Sequence, residues 1–128
     1  MKLLLDTHSF LWLNDAPEKL TGVARLACEA PNNSLHLSLA SAWEIQIKQQ
    51  MGKLQLGAPW QNMIKTQQHQ NDLALLPIGL AHIEALRNLP SAHRDPFDRI
   101  IIAQAILEGM MIITADEAFA DYPVQLVW

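Results

Sequence analysis

Short runs of consecutive apolar residues, such as 3–5 and 110–113, constrain the fold of this chain more than any other feature. A strand that is apolar at successive positions is buried on both faces, and such strands occur in parallel sheets covered by helices. The runs alternate with helical segments, an order typical of an α/β protein with a central, mostly parallel sheet. The strands are predicted at residues 2–5, 35–38, 73–76, 110–114 and 124–127.

Helical segments separate these strands. Asp15, Pro17 and Glu18 supply an N-cap, an early proline and an acidic third residue, and they predict that the second helix begins near Asp15. Pro96 and Gly109 are expected to bound the last helix. The helices are predicted around Phe10 to Leu13 and over residues 15–30, 40–51, 59–70, 80–89 and 96–108.

The composition predicts one domain over residues 1–128, because half of the residues are apolar and no linker or repeat interrupts the chain. No apolar run approaches the ~18 residues of a membrane span. Asp6 breaks the apolar start before it reaches signal-peptide length. The single cysteine, Cys28, excludes an internal disulfide and a cysteine-based zinc site, so a cytoplasmic location is expected.

Two acidic residues follow predicted strands. Asp6 comes directly after the first strand, and Asp116 lies two residues beyond Thr114. In α/β sheets, ligands bind beyond the carboxyl ends of the strands. Each aspartate could also simply cap the helix or turn that follows it.

Two helices place further carboxylates on their apolar sides. At ~100° per residue, Ile47 and Met51 lie within about 60° of Glu44, and three glutamines occupy the opposite face. An inward carboxylate costs several kcal/mol unless a cation or hydrogen bonds compensate for it. The alternative is an ordinary ion pair between Glu44 and Lys48, four residues later.

Asp98 belongs to the apolar stripe of the last helix, and Asp95 projects from the start of that helix on a similar side. Both could instead complement the positive end of the helix dipole. A cation site shared with Asp6, Glu44 and Asp116 explains all of these positions together.

A site built from carboxylates suits Mg²⁺, with Mn²⁺ as a substitute, and not zinc or copper. Such ions hydrolyse phosphodiesters by activating water and neutralising the leaving oxygen. Thr114 is a candidate accessory residue that could orient water or a carboxylate. Three basic residues are either phosphate contacts or solvated surface charges, and these are Lys48, Arg94 and Arg99. The net charge of −4 does not exclude RNA, since setting aside four metal-binding carboxylates leaves as many acids as bases.

The histidines and tryptophans give weaker signals. The five histidines have no paired zinc-ligand spacing, and His93, although close to the predicted site, is interpreted as a polar loop contact. The four tryptophans show no regular spacing and are interpreted as core or interface residues, not as an RNA platform.

The chain resembles PIN-domain ribonucleases, and more narrowly VapC-type toxins of type II toxin-antitoxin systems. The resemblance extends over essentially the whole chain. Its most specific part is the Asp-Pro-Phe-Asp-Arg segment before Ile-Ala-Gln-Ala. The matching stretches are Leu4-Leu5-Asp6-Thr7-His8 with Leu11-Trp12, Ser38 through Ser41-Ala42-Trp43-Glu44-Ile45 with Lys48, Gly52-Lys53-Leu54, Leu89-Pro90, His93-Arg94-Asp95-Pro96-Phe97-Asp98-Arg99, Ile102-Ala103-Gln104-Ala105 and Thr114-Ala115-Asp116.

The resemblance implies a three-layer α/β/α sandwich and a magnesium-dependent endoribonuclease. It implies that Asp6, Glu44, Asp98 and Asp116 form the catalytic, metal-binding quartet, with Asp95 as an accessory residue. It also implies a homodimer and a cognate antitoxin. The sequence departs from a simple nuclease in having no obvious basic stripe.

Two other functions fit the residues less well than a nuclease does. A haloacid-dehalogenase-like phosphatase normally has a second aspartate two residues after the first, where this chain has His8. A non-catalytic PIN-like module that binds RNA or protein is the second alternative, and the intact set of four carboxylates disfavours it. Dinucleotide binding is excluded because no glycine-rich fingerprint follows the first strand.

Overall fold

The computed structural model describes residues Met1 to Trp128. Its centre is a sheet of five parallel strands in the order β3-β2-β1-β4-β5. The strands are β1 (Lys2–Leu5), β2 (Ser34–Ser38), β3 (Ala74–Leu76), β4 (Met111–Ile113) and β5 (Leu126–Val127). The helices are α1 (Thr7–Asp15), α2 (Gly22–Glu29), α3 (Leu39–Gln50), α4 (Trp60–Asn71), α5 (Leu80–Ala85) and α6 (Pro96–Glu108).

The two faces of the sheet carry separate hydrophobic cores, which confirms the predicted α/β architecture. Leu3 and Leu5 of β1 pack into one core, and Leu4 packs into the other, because successive side chains of a strand point to opposite faces. The first core includes Phe10 of α1 and Ile45 of α3, and the second includes residues of α6. All three leucines are fully buried.

The predicted helix from residue 15 to residue 30 is wrong at its start. Asp15 is the last residue of α1, and Pro17–Lys19 form a short 3-10 turn. The α2 helix begins only at Gly22, where the side chain of Thr21 accepts a hydrogen bond from the backbone N–H of Ala24. Asp15 is not available as a cap because it belongs to α1, and Thr21, six residues later, is the N-cap of α2.

The other boundaries differ by smaller amounts. The α5 helix ends at Ala85 and continues as a 3-10 turn over Leu86–Asn88, so the predicted helix over 80–89 is divided. The α6 helix begins at Pro96 and ends before Gly109, as predicted. Gly109 has a φ of 66°, a left-handed conformation that glycine adopts without a steric cost.

Candidate active site

The carboxyl ends of β1 and β4 meet because the two strands are adjacent and parallel, with Leu5 in register with Ile113. Asp6 and Thr114 follow these two strands directly. The Thr114 hydroxyl donates a hydrogen bond of 2.6 Å to Oδ2 of Asp6 and accepts one of 3.0 Å from the backbone N–H of Asp116. A single hydroxyl thus contacts the carboxylate of Asp6 and the backbone of Asp116 at the same edge of the sheet.

Asp6 is both a helix cap and a buried acid. Its Oδ1 accepts a hydrogen bond of 2.8 Å from the backbone N–H of Ser9 in the first turn of α1. Only 5% of the residue is exposed. Burial raises the pKa of Asp6, while the hydrogen bonds from Ser9 and Thr114 act in the opposite direction. Asp6 therefore caps α1, as one interpretation of the sequence predicts, and its carboxylate is also buried at the site, as the other predicts.

Glu44 lies inside the protein, 2% exposed, as the helical periodicity predicts. Its Oε1 accepts a hydrogen bond of 2.6 Å from the Thr7 hydroxyl, and its Oε2 lies 2.6 Å from Nζ of Lys48. The hydrogen bond to Glu44 is the main reason that the pKa of Lys48 is raised. Lys48 therefore holds a site carboxylate in place, and its ammonium group already has a partner.

Asp95 and Asp98 differ in role although both lie at the start of α6. Oδ1 of Asp95 accepts hydrogen bonds from the backbone N–H groups of Phe97 (2.8 Å) and Asp98 (3.3 Å), so Asp95 is the N-cap. Burial raises the pKa of Asp98 to about 7, and the negative charges of Asp95 and Glu44 add to this effect. A cation beside Asp98 would relieve that unfavourable concentration of negative charge.

His93, interpreted from the sequence as a polar loop contact near the site, makes such a contact with Asp98, and it also lies where it could ligate a cation, a role that the sequence did not predict. Its Nε2 lies 2.8 Å from Oδ2 of Asp98 and 4.0 Å from Oδ2 of Asp116. These three residues offer ligand atoms that all lie within 4.8 Å of one another. The available signal was its place in the segment leading into Asp98, but no spacing rule identifies a histidine that reaches the site from a loop.

Asp6 and Glu44 lie outside this compact group but border it. Asp6 and Asp116 line one cavity of about 320 Å³. Glu44 is close enough to Asp98 to contribute to its raised pKa. The four predicted carboxylates are therefore at the same edge of the sheet, with His93, Asp98 and Asp116 as the set whose atoms are already close enough for one cation.

The basic residues predicted as phosphate contacts have different surroundings. Arg94 is exposed. The Arg99 guanidinium donates hydrogen bonds to the backbone carbonyls of three residues and to the Tyr122 hydroxyl; the carbonyls belong to Leu86, Pro90 and His93. Tyr122 in turn accepts a hydrogen bond of 2.8 Å from the backbone N–H of His93. Arg99 thus braces the loop that carries His93, a role that the sequence did not predict.

The donor set fits a divalent cation. Two carboxylates suit Mg²⁺ or Mn²⁺, and one imidazole nitrogen is a ligand that Mn²⁺ accepts more readily than Mg²⁺ does. Sulfur ligands are absent from the group, which argues against a structural zinc site.

An open parallel sheet with acidic residues at its carboxyl edge is typical of α/β proteins whose ligand sites lie at that edge. Residues 3–125 match the family model of the PIN domain, and the chain belongs to the PIN domain family. It is 29% identical over 117 residues to Ribonuclease VapC22 of Mycobacterium tuberculosis (strain ATCC 25618 / H37Rv), which covers 89% of this chain and 86% of that protein.

Solved structures share the fold. The chain superposes with a TM-score of 0.74 and 17% identity on a chain of VapBC2 from Rickettsia felis bound to a promoter DNA fragment, covering 98% of this chain and 97% of that one. For DNA-bound VapBC from Salmonella typhimurium the TM-score is 0.67 at 16% identity, with coverage of 98% and 96%. No helix of the structure has the length and apolar character needed to cross a membrane.

Proposed function

We propose that this protein is a metal-dependent endoribonuclease and the toxin of a type II toxin-antitoxin pair. The observation that carries the proposal is the group formed by His93, Asp98 and Asp116 beside the buried carboxylates of Asp6 and Glu44. Membership of the PIN domain family and the likeness to a protein named Ribonuclease VapC22 support the same activity.

Asp98 and Asp116 would hold the cation, Mg²⁺ or its substitute Mn²⁺, with His93 as a nitrogen ligand. When bound, the cation lowers the pKa of a water molecule and stabilises negative charge on the phosphate oxygens. Asp6 would orient that water or a second cation, because Thr114 fixes its carboxylate toward the edge of the sheet. Glu44 would add negative charge at a position that Thr7 and Lys48 hold.

The partner would be an antitoxin, since the solved structures that share the fold are VapBC proteins. A homodimer is the expected state, and exposed apolar side chains of α3 and α5, such as Trp43 and Ile83, would suit such an interface. The site would act in the cytoplasm, where both messenger and structural RNAs are available. Light scattering of the purified chain measures the oligomeric state.

The direct test is cleavage of RNA by the purified protein without an antitoxin. We expect cleavage with Mg²⁺ or Mn²⁺, no cleavage in excess chelator, and no cleavage by Asp98→Asn at any metal concentration. Asp72→Asn is the matched control, because Asp72 is an exposed residue that precedes β3 at the opposite edge of the sheet. Cleavage by Asp98→Asn, or hydrolysis of a small phosphate monoester in place of RNA, would contradict the proposal.

A further inference from the structure

A cavity of about 320 Å³ opens beside the acidic group, and aromatic rings form part of its wall. It is lined by Asp6, His8, Trp12, Ala115 and Asp116. The ring centroids of His8 and Trp12 lie 6.1 Å apart, and His8 is exposed to solvent. The cavity thus has two acidic and two aromatic side chains beside Ala115, and neither aromatic residue has a part in holding the cation.

Trp12 is held rigidly by its surroundings. It lies in α1, where its ring packs against the core and against Trp128, with ring centroids 5.8 Å apart. Nζ of Lys19, an exposed residue, lies 5.9 Å from the ring centroid. A ring fixed in this way loses little conformational entropy when a ligand stacks on it.

The side chains of the cavity divide between two tasks. The proposed function assigns Asp116 to the cation and Asp6 to its water, so the aromatic side chains of His8 and Trp12 are the ones left to contact another part of the substrate. A nucleobase is flat and neutral, and it stacks on aromatic side chains. The cavity volume lies at the lower end of the range for small-molecule sites, which suits one base and not a larger ligand.

We propose that this cavity binds one unpaired base of the RNA, next to the scissile phosphate, with the base stacked on Trp12 and with the His8 ring, inclined by 51° to that of Trp12, against the edge of the base. The proposal rests on the proposed function for its substrate, and it specifies single-stranded RNA. A paired base has both faces covered by its neighbours and its hydrogen-bonding edge occupied, so a duplex cannot supply it. Trp12 then has a binding role that its position in the sequence did not indicate.

The experiment measures RNA binding separately from cleavage. Fluorescence anisotropy of labelled single-stranded RNA is recorded with the Asp98→Asn protein, which is expected to bind without cutting. A series of oligonucleotides, each with one abasic residue at a different position, locates the base that enters the cavity. We expect about a tenfold loss of affinity at one position, the magnitude typical of a single stacked base.

Substitution of Trp12 gives the second arm of the same measurement. Trp12→Leu in the Asp98→Asn protein should weaken binding of the intact RNA by about tenfold, and the abasic position should then have no further effect. Trp12→Phe should restore most of the affinity, since phenylalanine keeps an aromatic face. Trp60→Leu is the control for lost packing, because Trp60 packs against the same core but does not line the cavity.

The outcomes separate this proposal from the proposed function. If every abasic position is equivalent, or if the abasic effect persists in Trp12→Leu, the cavity does not bind a base, even when the protein cleaves RNA. Such a result would be expected if the cavity received a side chain of a protein partner. If the wild-type protein fails to cleave RNA but shows the dependence on one base and on Trp12, the base site stands and the catalytic proposal fails.

Discussion

The hydroxyl of Thr114 donates a hydrogen bond of 2.6 Å to Oδ2 of Asp6, although the two residues are 108 positions apart in the chain. The contact exists because β1 and β4 are neighbours in the sheet while lying at opposite ends of the sequence. The same hydroxyl accepts a hydrogen bond from the backbone N–H of Asp116. Thr114 therefore connects the start and the end of the chain at the point where the site is built.

Thr114→Val should destabilise the protein and impair the site. Valine keeps the shape of threonine but leaves Oδ2 of the buried Asp6 carboxylate without a donor, a loss of about 1–3 kcal/mol in the free energy of unfolding. Urea denaturation measures the change, and RNA cleavage should fall with it. Thr66→Val is the control, since the Thr66 hydroxyl bonds only a carbonyl of its own exposed helix surface. Equal stability of the two variants would show that Thr114 does not hold Asp6.

Asp98→Asn should stabilise the metal-free protein at high pH. The pKa of Asp98 is raised from 3.8 to about 7, so the folded state holds this proton more tightly than the unfolded state does. The wild type therefore loses stability as pH rises from about 4 to about 7, and the asparagine variant does not. Thermal unfolding in chelator should give a higher Tm for the variant at pH 8 and similar values near pH 4.

Divalent cation provides the control for that pH dependence. Mn²⁺ at pH 8 should raise the Tm of the wild type, because a ligand that binds the folded state stabilises it, and should have little effect on Asp98→Asn. A difference in Tm that is the same at every pH would show that Asp98 titrates normally in the folded protein.

His93→Gln should weaken Mn²⁺ binding by about tenfold, as expected when one contact of a metal site is removed. Pulsed electron paramagnetic resonance of the Mn²⁺-loaded protein should show coupling to a ligand nitrogen that disappears in the variant. His69→Gln is the control, because His69 is an exposed residue of α4. Nitrogen coupling that survives in His93→Gln would assign the ligand to another residue.

Arg99→Lys should loosen the loop that carries His93. Lysine cannot reproduce the planar fork with which the guanidinium bonds several backbone carbonyls and Tyr122. Amide hydrogen exchange over residues 89–95 should accelerate, and cleavage should slow as a consequence. Arg87→Lys should change neither, since Arg87 is an exposed residue paired only with Glu84. Unchanged exchange together with a raised KM for RNA would instead support direct phosphate binding by Arg99.

Local patterns in the sequence determined the central strands, the inward-facing carboxylates and the bounds of the last helix. Apolar runs identified β1 and β4, the strands at the centre of the site, since a strand buried on both faces needs apolar residues at successive positions. Helical periodicity placed Glu44 and Asp98 on inward faces, and Pro96 and Gly109 bounded α6. Each of these features depends on residues that are close together in the sequence, so it can be predicted without knowledge of distant residues.

Only the tertiary structure decided which side chains meet. His93 reaches Asp98 and Asp116 because Arg99 and Tyr122 hold its loop in place, and Trp12 lines a cavity whose other wall follows β4. Such contacts depend on the order of strands and the path of loops, which join residues far apart in the sequence. Periodicity and spacing predict which face of its own helix or strand a side chain occupies. The distance between side chains on two different elements is set only when those elements pack together.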